Sequence, residues 1–388
     1  MSKELPKDWK WVKLGEACDI IMGQSPPSSC YNTDGIGLPF FQGKAEFTEL
    51  HPIVEKWCDA PKKIAESNDI LLSVRAPVGT TNIANEKCCI GRGLAAIRFE
   101  NYKYAFYFLR SRQQELDSKG TGTTFRAISG ETIRETLFPL PPKPTQEAIV
   151  SKIEELFSEI ENGIKSLFTA RQQLKTYRQS VLKWAFEGIK GKEIKSVEDC
   201  CTHVVDCLHS TAKFSSEGYY CVDTTCIENG KILFEQIRYV DKKTYTERIS
   251  RLKPEAGDIL FAREGTVGTT LIVPENVELC LGQRMMMFRL KKEVLPKYFL
   301  YYFQSPSFKS QYRPLIMGTT APHLNIRDIR KFEVLLSSIK EQNKIVEAIE
   351  SRLSVADKME ESINQSLQQA EALKQSILKK AFEGRLVK

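Results

Sequence analysis

The sequence predicts an α+β fold: two globular α+β modules separated by two long antiparallel coiled-coil helices, related by a pseudo-twofold internal repeat. Three observations lead there. Two stretches recur at one fixed offset, both carry apolar residues at heptad spacing, and the regions ahead of them share a sparse skeleton of strands and turns.

The repeat is clearest at the ends of the recurring stretches. Gln146-Glu-Ala-Ile-Val150 matches Gln342-Asn-Lys-Ile-Val346, and Ser180-Val-Leu-Lys-Trp-Ala-Phe-Glu-Gly188 matches Ser376-Ile-Leu-Lys-Lys-Ala-Phe-Glu-Gly384. Both pairs lie 196 residues apart, so no insertion or deletion separates them. A length kept in two copies points to a role for the length itself.

Both stretches read as helices. In the first, Ile153, Ile160, Leu167, Leu174 and Val181 recur every seven residues. Leu156, Gly163, Ala170, Tyr177 and Trp184 follow three positions later, which predicts an a/d seam. The second copy keeps the first row as Ile349, Ala356, Ile363, Ala370 and Ile377. Its companion row, Met359 and Leu373, is interrupted by Arg352, Ser366 and Lys380. The proline-rich run from Pro139 to Pro144 supplies a start signal and Gly188 a stop. A helix of this length spans roughly 65 Å at ~1.5 Å per residue, too long to be buried within a small domain. Its seam therefore needs a partner. The other copy is the nearest candidate, with homodimerisation as the alternative. The expected pairing surface is Ile153, Ile160, Leu167, Leu174, Val181, Ile349, Ile363 and Ile377. The resulting division is 1–144, a module; 145–188, a helix; 189–341, a module; and 342–388, a helix.

Within the modules, Asp69-Ile-Leu-Leu-Ser-Val-Arg-Ala-Pro-Val-Gly79 parallels Asp258-Ile-Leu-Phe-Ala-Arg-Glu-Gly-Thr-Val-Gly268. Each reads as a buried strand running into a turn that holds an arginine, Arg75 or Arg263. Cys89-Ile-Gly-Arg-Gly-Leu94 and Cys280-Leu-Gly-Gln-Arg-Met285 come next, followed by the apolar stretches 96–99 and 287–290. Then come aromatic helices, 104–109 and 298–303, and polar loops, Gly120-Thr-Gly-Thr-Thr-Phe-Arg126 and Gly318-Thr-Thr-Ala-Pro-His-Leu-Asn325. The aromatic stretch Tyr298–Phe303 reads as core, with base stacking as the alternative. Between these anchors the two copies diverge, as expected of modules that bind different things.

Composition narrows the classes. No apolar run approaches the ~18 to 20 residues of a membrane span, and the first residues have no apolar segment of the kind that directs export. Eleven cysteines, an odd number with two adjacent pairs, suit a reduced, cytoplasmic protein better than a disulfide framework. The net charge of +7 lies mainly in the modules, +2 over 1–144 and +4 over 189–341, whereas 145–188 is balanced. A polyanion partner is thereby permitted but not demanded. There is no Gly-x-x-x-x-Gly-Lys-Ser/Thr loop, no Gly-x-Gly-x-x-Gly turn and no Asn/Asp-Pro-Pro-Tyr/Phe tetrapeptide. The four histidines are scattered, and Cys200 to His209 lacks paired Cys-x-x-Cys spacing, so neither a catalytic nor a metal site is expected.

Taken together, the Asp-Ile-Leu strands, the Gly-Thr-Thr loops and the two helices ending in Ala-Phe-Glu-Gly resemble the specificity subunit of Type I restriction–modification enzymes, over nearly the whole chain. Leu5-Pro-Lys-Asp-Trp-Lys-Trp-Val-Lys-Leu-Gly15 resembles that family too, as does Asp206-Cys-Leu-His-Ser-Thr211, apart from Cys207 where glycine is more usual. The resemblance implies a non-catalytic subunit whose modules are two target-recognition domains reading the halves of a split, asymmetric site on double-stranded DNA. The helices would be spacers and docking surfaces for two methyltransferase subunits, with motor–nuclease subunits as further partners. S-adenosylmethionine, ATP and Mg would sit on those partners, and no cofactor on this chain. No membrane is involved in that scheme.

Polar and cationic loop residues suit phosphate and base-edge contacts. The expected DNA contacts are Gln24, Ser25, Lys44, Arg75, Arg92, Thr123, Thr124 and Arg126 in the first module. In the second they are His209, Thr211, Lys213, Arg263, Arg284, Thr320, His323 and Asn325. The rival reading is a coiled-coil protein-interaction scaffold without DNA specificity.

Overall fold

The computed structural model describes residues 5–122, 126–187, 192–228, 230–318 and 322–387. The chain forms two compact units, one of Met1–Leu167 with Gln365–Lys388, the other of Phe168–Asn364. Both unit boundaries fall inside the two long helices.

The first unit is built on an antiparallel sheet of β1 (Asp19–Met22), β2 (Ile70–Ser73), β3 (Thr81–Ile83) and β4 (Leu94–Arg98), in the order β1-β4-β2-β3. Helix α1 (Tyr102–Ser111) follows, and then the long helix α2 (Lys143–Glu187). The second unit repeats the arrangement. Its strands β5 (Cys201–Asp206), β6 (Ile259–Ala262), β7 (Thr270–Ile272) and β8 (Met285–Leu290) lie in the order β5-β8-β6-β7. Helix α3 (Pro296–Gln304) and the long helix α4 (Ile339–Phe382) come after them. In each unit an outer two-stranded ladder joins the start of the module to the strand before the long helix, Lys10–Lys13 to Leu137–Leu140 and Glu193–Ser196 to Glu333–Leu336.

The repeated Asp-Ile-Leu stretch has a structural reason. Ile70, Leu71 and Leu72, like Ile259, Leu260 and Phe261, are fully buried strand residues. The buried aspartate ahead of them is held by a forked arginine from the neighbouring strand. Arg98 donates to both oxygens of Asp69 at 2.8 and 2.7 Å, and Arg289 to both oxygens of Asp258 at 3.0 and 2.8 Å. A bidentate pair of this kind satisfies an otherwise costly buried carboxylate and fixes strand register.

The aromatic helices are core. Tyr104, Phe106 and Phe108 on α1, and Tyr298, Phe299 and Phe303 on α3, are 0–1% exposed, so base stacking is closed to them. Their hydroxyls are bonded inward: Tyr104 donates to the Pro139 carbonyl at 2.8 Å, and Tyr298 donates to that of Leu335.

Each unit is completed by both long helices. The first turns of α2 contribute Ile149, Val150, Ile153 and Phe157 to the first core, and the last turns of α4 contribute Ile377, Leu378, Ala381 and Phe382. The second core takes Val346 and Ile349 from α4 and Val181, Leu182, Ala185 and Phe186 from α2. The recurring Ala-Phe is thus an anchor. Phe382 meets Tyr104 and Phe108 edge-on at 5.3 and 5.4 Å, and Phe186 meets Tyr298 and Tyr302 at 5.3 and 5.1 Å. Gly384 sits just beyond α4 at a φ of +70°, and a Cβ there would lie 2.2 Å from Pro6, so glycine is the residue that fits. Gly188, its counterpart, lies outside the described residues. The recurring glutamines seat the helix starts: Gln342 donates to the Glu293 and Ser337 carbonyls, both at 2.8 Å, and accepts from the Leu295 amide at 2.9 Å.

The two helices run antiparallel. In the second unit, Arg171 and Arg178 both reach Glu360, Arg178 also pairs with Asp357 at 2.6 Å, and Arg352 lies over the Trp184 ring at 4.1 Å. As one helix ascends, its partner residues descend. Ile153, Val181, Ile349, Ile363 and Ile377 are buried, and Ile160, Leu167 and Leu174 are half-buried. The companion row differs from the a/d expectation. The inward positions lie four residues after the first row, at Phe157, Ile164, Arg171, Arg178 and Ala185, and at Leu353, Glu360, Leu367, Lys374 and Ala381. The expected companions Tyr177, Trp184, Met359 and Leu373 are 42–54% exposed. Apolarity alone mis-set the stripe because much of the true companion row is ionic: Arg171, Arg178 and Glu360 take inward positions and pair there. Lys374 likewise is 7% exposed, near Glu161 and Glu49 and over the Phe157 ring.

Candidate nucleic-acid interface

At one end of each four-stranded sheet, the same four segments are stitched together by the same backbone hydrogen bonds. In the first unit Val74 donates to Gly93, Ile128 to Val74, Ala76 to Arg126 and Gly23 to Leu94, at 2.9, 3.0, 2.9 and 2.9 Å. In the second, Arg263 donates to Arg284, Leu324 to Arg263, Gly265 to Pro322 and Cys207 to Met285, at 3.0, 2.8, 2.8 and 3.1 Å. The polar loops close by reciprocal bonds, Thr121 with Ala127 and Met317 with His323. The two turn arginines are therefore not structural equivalents. Arg75 stands where the second unit has Glu264, both in bridges to the polar loop, and Arg263 stands where the first has Val74.

In the first unit the edge carries exposed cations and hydrogen-bonding groups. Gln24, Lys44, Arg75, Arg92 and Arg126 are exposed or half-buried, as is Ser25. Ser25 is fixed from two sides: its Oγ accepts from the Arg92 amide at 3.1 Å and from Gln42 Nε2 at 2.8 Å. Arg126 lies 3.7 Å from Asp117, loose enough to release the guanidinium to a phosphate. Thr123 and Thr124 lie outside the described residues.

In the second unit His209, Thr211, Lys213, Arg284 and Asn325 are exposed and His323 half-buried, while Thr320 lies outside the described residues. Arg263 departs from the expectation of an available contact. It is 7% exposed and held by Asp206 through Nε at 2.9 Å, by Glu264 at 2.6 Å and by His209 Nδ1 at 3.2 Å. Burial works against its charge, but the Asp206 bond and the flanking carboxylates outweigh that and hold it above the usual arginine range. His209 in turn reaches Asp206 through Nε2 at 3.2 Å. Gln283 ties the next segment in, donating to the His209 carbonyl at 3.1 Å and accepting from Thr211 at 3.2 Å. Arg248 and Arg251 brace the same loop from beneath, Arg251 through the Asp206 and Cys207 carbonyls at 3.0 and 3.1 Å. The network rigidifies the 206–211 loop, so its exposed groups are held ready before any ligand arrives.

Sequence reasoning missed a recess beside this network, of about 190 Å³, lined among others by Thr211, Phe214, Asp223, Arg238, Gln283 and Arg284. Arg238 lies over the Phe214 ring at 3.7 Å and pairs with Asp223. Burial opposes ionisation of Asp223, yet bonds from Thr225 and Arg238 hold it below the usual carboxylate range. No repeated motif marks Phe214, Asp223 or Arg238, so nothing in the sequence singled those three out, although Thr211 and Arg284 beside them were expected contacts. Among the described residues no His, Cys, Asp and Glu cluster is arranged for a metal ion, and Cys200, Cys201 and Cys207 are buried thiols. Among those residues, too, no helix is long and apolar enough to cross a membrane.

Comparison with known proteins agrees with this architecture. The model of the Type I restriction modification DNA specificity domain matches residues 6–168 and 209–369, one match for each module. The chain belongs to the family of Type I restriction–modification specificity subunits. It is 39% identical over 191 residues to a Methanocaldococcus jannaschii protein described as the putative specificity subunit of the MjaX Type I restriction enzyme, covering 48% of this chain and 44% of that one. It is 23% identical over 415 residues to the EcoBI specificity subunit of Escherichia coli, covering 97% and 86%. The crystal structure of the HsdS subunit from Thermoanaerobacter tengcongensis shares the fold across 99% of both chains, with a TM-score of 0.54 at 19% identity.

Proposed function

We propose that this chain is the DNA-reading, non-catalytic subunit of a Type I restriction–modification complex, and that it recognises a bipartite, asymmetric site on double-stranded DNA. One observation carries the reading: the same four-segment edge is built twice by the same backbone bonds and dressed with different side chains. Equal scaffolds with unequal surfaces are what two readers of unlike half-sites require. The cations of the first edge, Lys44, Arg75, Arg92 and Arg126, and those of the second, Lys213 and Arg284, supply phosphate attraction and base-edge donors. S-adenosylmethionine, ATP and Mg belong to partner subunits in this scheme.

The methyltransferase subunits, and motor–nuclease subunits with them, dock on the long helices. The outward row supports this part of the reading. In the second unit, Tyr177, Val355 and Met359 line an apolar groove of about 570 Å³ with Leu174 and Ile363. An uncovered apolar strip of that kind on a helix pair marks a surface that a partner closes.

Co-expression with the cognate methyltransferase subunit, followed by mapping of methylated adenines, tests the proposal. A split motif is expected, with one half changing when residues 1–144 are exchanged and the other when 189–341 are. A contiguous or palindromic motif overturns it. Binding that does not weaken as salt rises favours the scaffold reading instead.

A further inference from the structure

The geometry points to Arg284 as the residue with which the second module reads a guanine, by a forked contact to its O6 and N7. The inference rests on the DNA-reading function proposed above and deepens it to one base.

Arg284 is unusual in its backbone. Its φ is +78°, a region that L side chains rarely adopt, and a non-glycine residue there is strained. The strain is held in place from both sides. Its carbonyl accepts from the Arg263 amide at 3.0 Å, and the following carbonyl, that of Met285, accepts from the Cys207 amide at 3.1 Å. The preceding side chain, Gln283, is tied to His209 and Thr211. The buried Arg263–Asp206 pair belongs to the same arrangement. A strained residue persists only where its surroundings over-determine it, and such positions cluster where a side chain must be aimed.

What is aimed is a free guanidinium. Among the described residues Arg284 makes no ion pair and no side-chain hydrogen bond, and it is exposed at the mouth of the recess. The second arginine of the recess, Arg238, is neutralised by Asp223. A rigid fork of donors without an acceptor matches the paired acceptors on the major-groove edge of guanine. Of the neighbouring recess groups, the Thr211 hydroxyl donates to Gln283 Oε1 and Gln283 Nε2 donates to the His209 carbonyl, so both side chains are held, whereas the Arg284 fork is not. The first module has glycine at this place: a Cβ on Gly93 would lie 2.5 Å from the Gln42 carbonyl oxygen. The inference therefore applies to one half-site only.

The test is methylated-adenine mapping of the full chain co-expressed with its methyltransferase subunit, comparing the native sequence with Arg284→Gly and Arg284→Lys. Arg284→Gly removes the fork while relieving the positive φ, so its thermal unfolding midpoint is expected at or above that of the native chain. Arg284→Lys keeps the charge but loses the fork. The expected result is that one G·C pair in the second module's half-site becomes degenerate in both variants, with discrimination falling about ten- to a hundredfold, and that the other half-site is unchanged. An unchanged motif overturns the inference, as does a second half-site without a G·C pair. A uniform loss of methylation with the motif intact also overturns it, and identifies Arg284 as a phosphate contact. If the native chain directs no split motif at all, the failure lies with the proposed function.

Discussion

The first and second modules share a backbone plan and differ where the sheet end meets its loops. Where the first has Val74 and Met22 in or against its apolar core, the second has Arg263 bound to Asp206. The strand registers make the positions equivalent: Ala95 pairs with Met22 and Leu72, and Met286 with Asp206 and Phe261. A buried ion pair is seldom more stable than the apolar pair it replaces, because both charges must leave water. Its presence in one module alone therefore argues for orientation rather than stability. The pair fixes the 206–211 loop through His209, whereas the first module fixes its loop through Ser25 and Gln42. One scaffold thus supports two recognition edges by two different polar braces.

The comparison is broken most strongly at the anchors. Phe186→Ala and Phe382→Ala are each expected to cost about 3–5 kcal/mol. Hydrogen exchange should show the loss in opposite places: Phe186→Ala opens the second unit around α3, and Phe382→Ala opens the first around α1. Loss of protection in the same unit for both would contradict the exchanged packing.

A next step is to cut the buried pair. Asp206→Ala should destabilise the second unit by about 3–5 kcal/mol, because Arg263 is left buried with a weakened set of partners. Converting both positions to the first module's residues, Arg263→Val with Asp206→Met, should recover much of that loss in denaturant unfolding while DNA discrimination in that half-site falls. Full recovery of discrimination would show that the pair does not orient the loop.

Acid should separate the modules more gently. Asp223 lies below the usual carboxylate range in the folded chain, so its contribution is fully present above the unfolded-state value and is lost as pH falls through the lower folded one. Asp223→Asn is expected to flatten the pH dependence of the second unit's stability below about pH 4, the unfolded-state reference, and to leave the first unit's curve unchanged. Thermal melts across that range check it.

The smallest effect is expected at the helix seam. Arg178→Ala removes a partly exposed cation from Asp357 and Glu360, and about 0.5–1 kcal/mol should be lost, less at high salt. A much larger loss would mean that the ionic part of the seam, rather than its apolar ends, holds the helices together.

Much of the fold was legible. The fixed offset and the first heptad row located both helices, since a seven-residue apolar repeat has few other solutions. The Asp-Ile-Leu strands and the aromatic helices were equally plain, because burial on both faces leaves an unbroken apolar run. The second seam row was misplaced for a physical reason. Arg178, Glu360 and Lys374 face inward because each finds an opposite charge on the facing helix, and a single helix read alone does not show its partner's charges. The candidate site was legible only in outline. Loops with arginine, threonine and glutamine are visible in the sequence, but which arginine is free is not.

By itself, then, the sequence determined that the chain is a duplication with two unlike modules and two helices of matched length. These properties are local or periodic, and they survive without knowledge of neighbours. Tertiary structure alone decided that each Ala-Phe ending closes a core with the aromatic helix of its unit, that Arg263 is buried against Asp206, and that Arg284 is left strained and unpaired at the edge. Each depends on charges and backbone groups brought together from distant parts of the chain, and pairing in a low-dielectric interior is set by that assembly rather than by residue type.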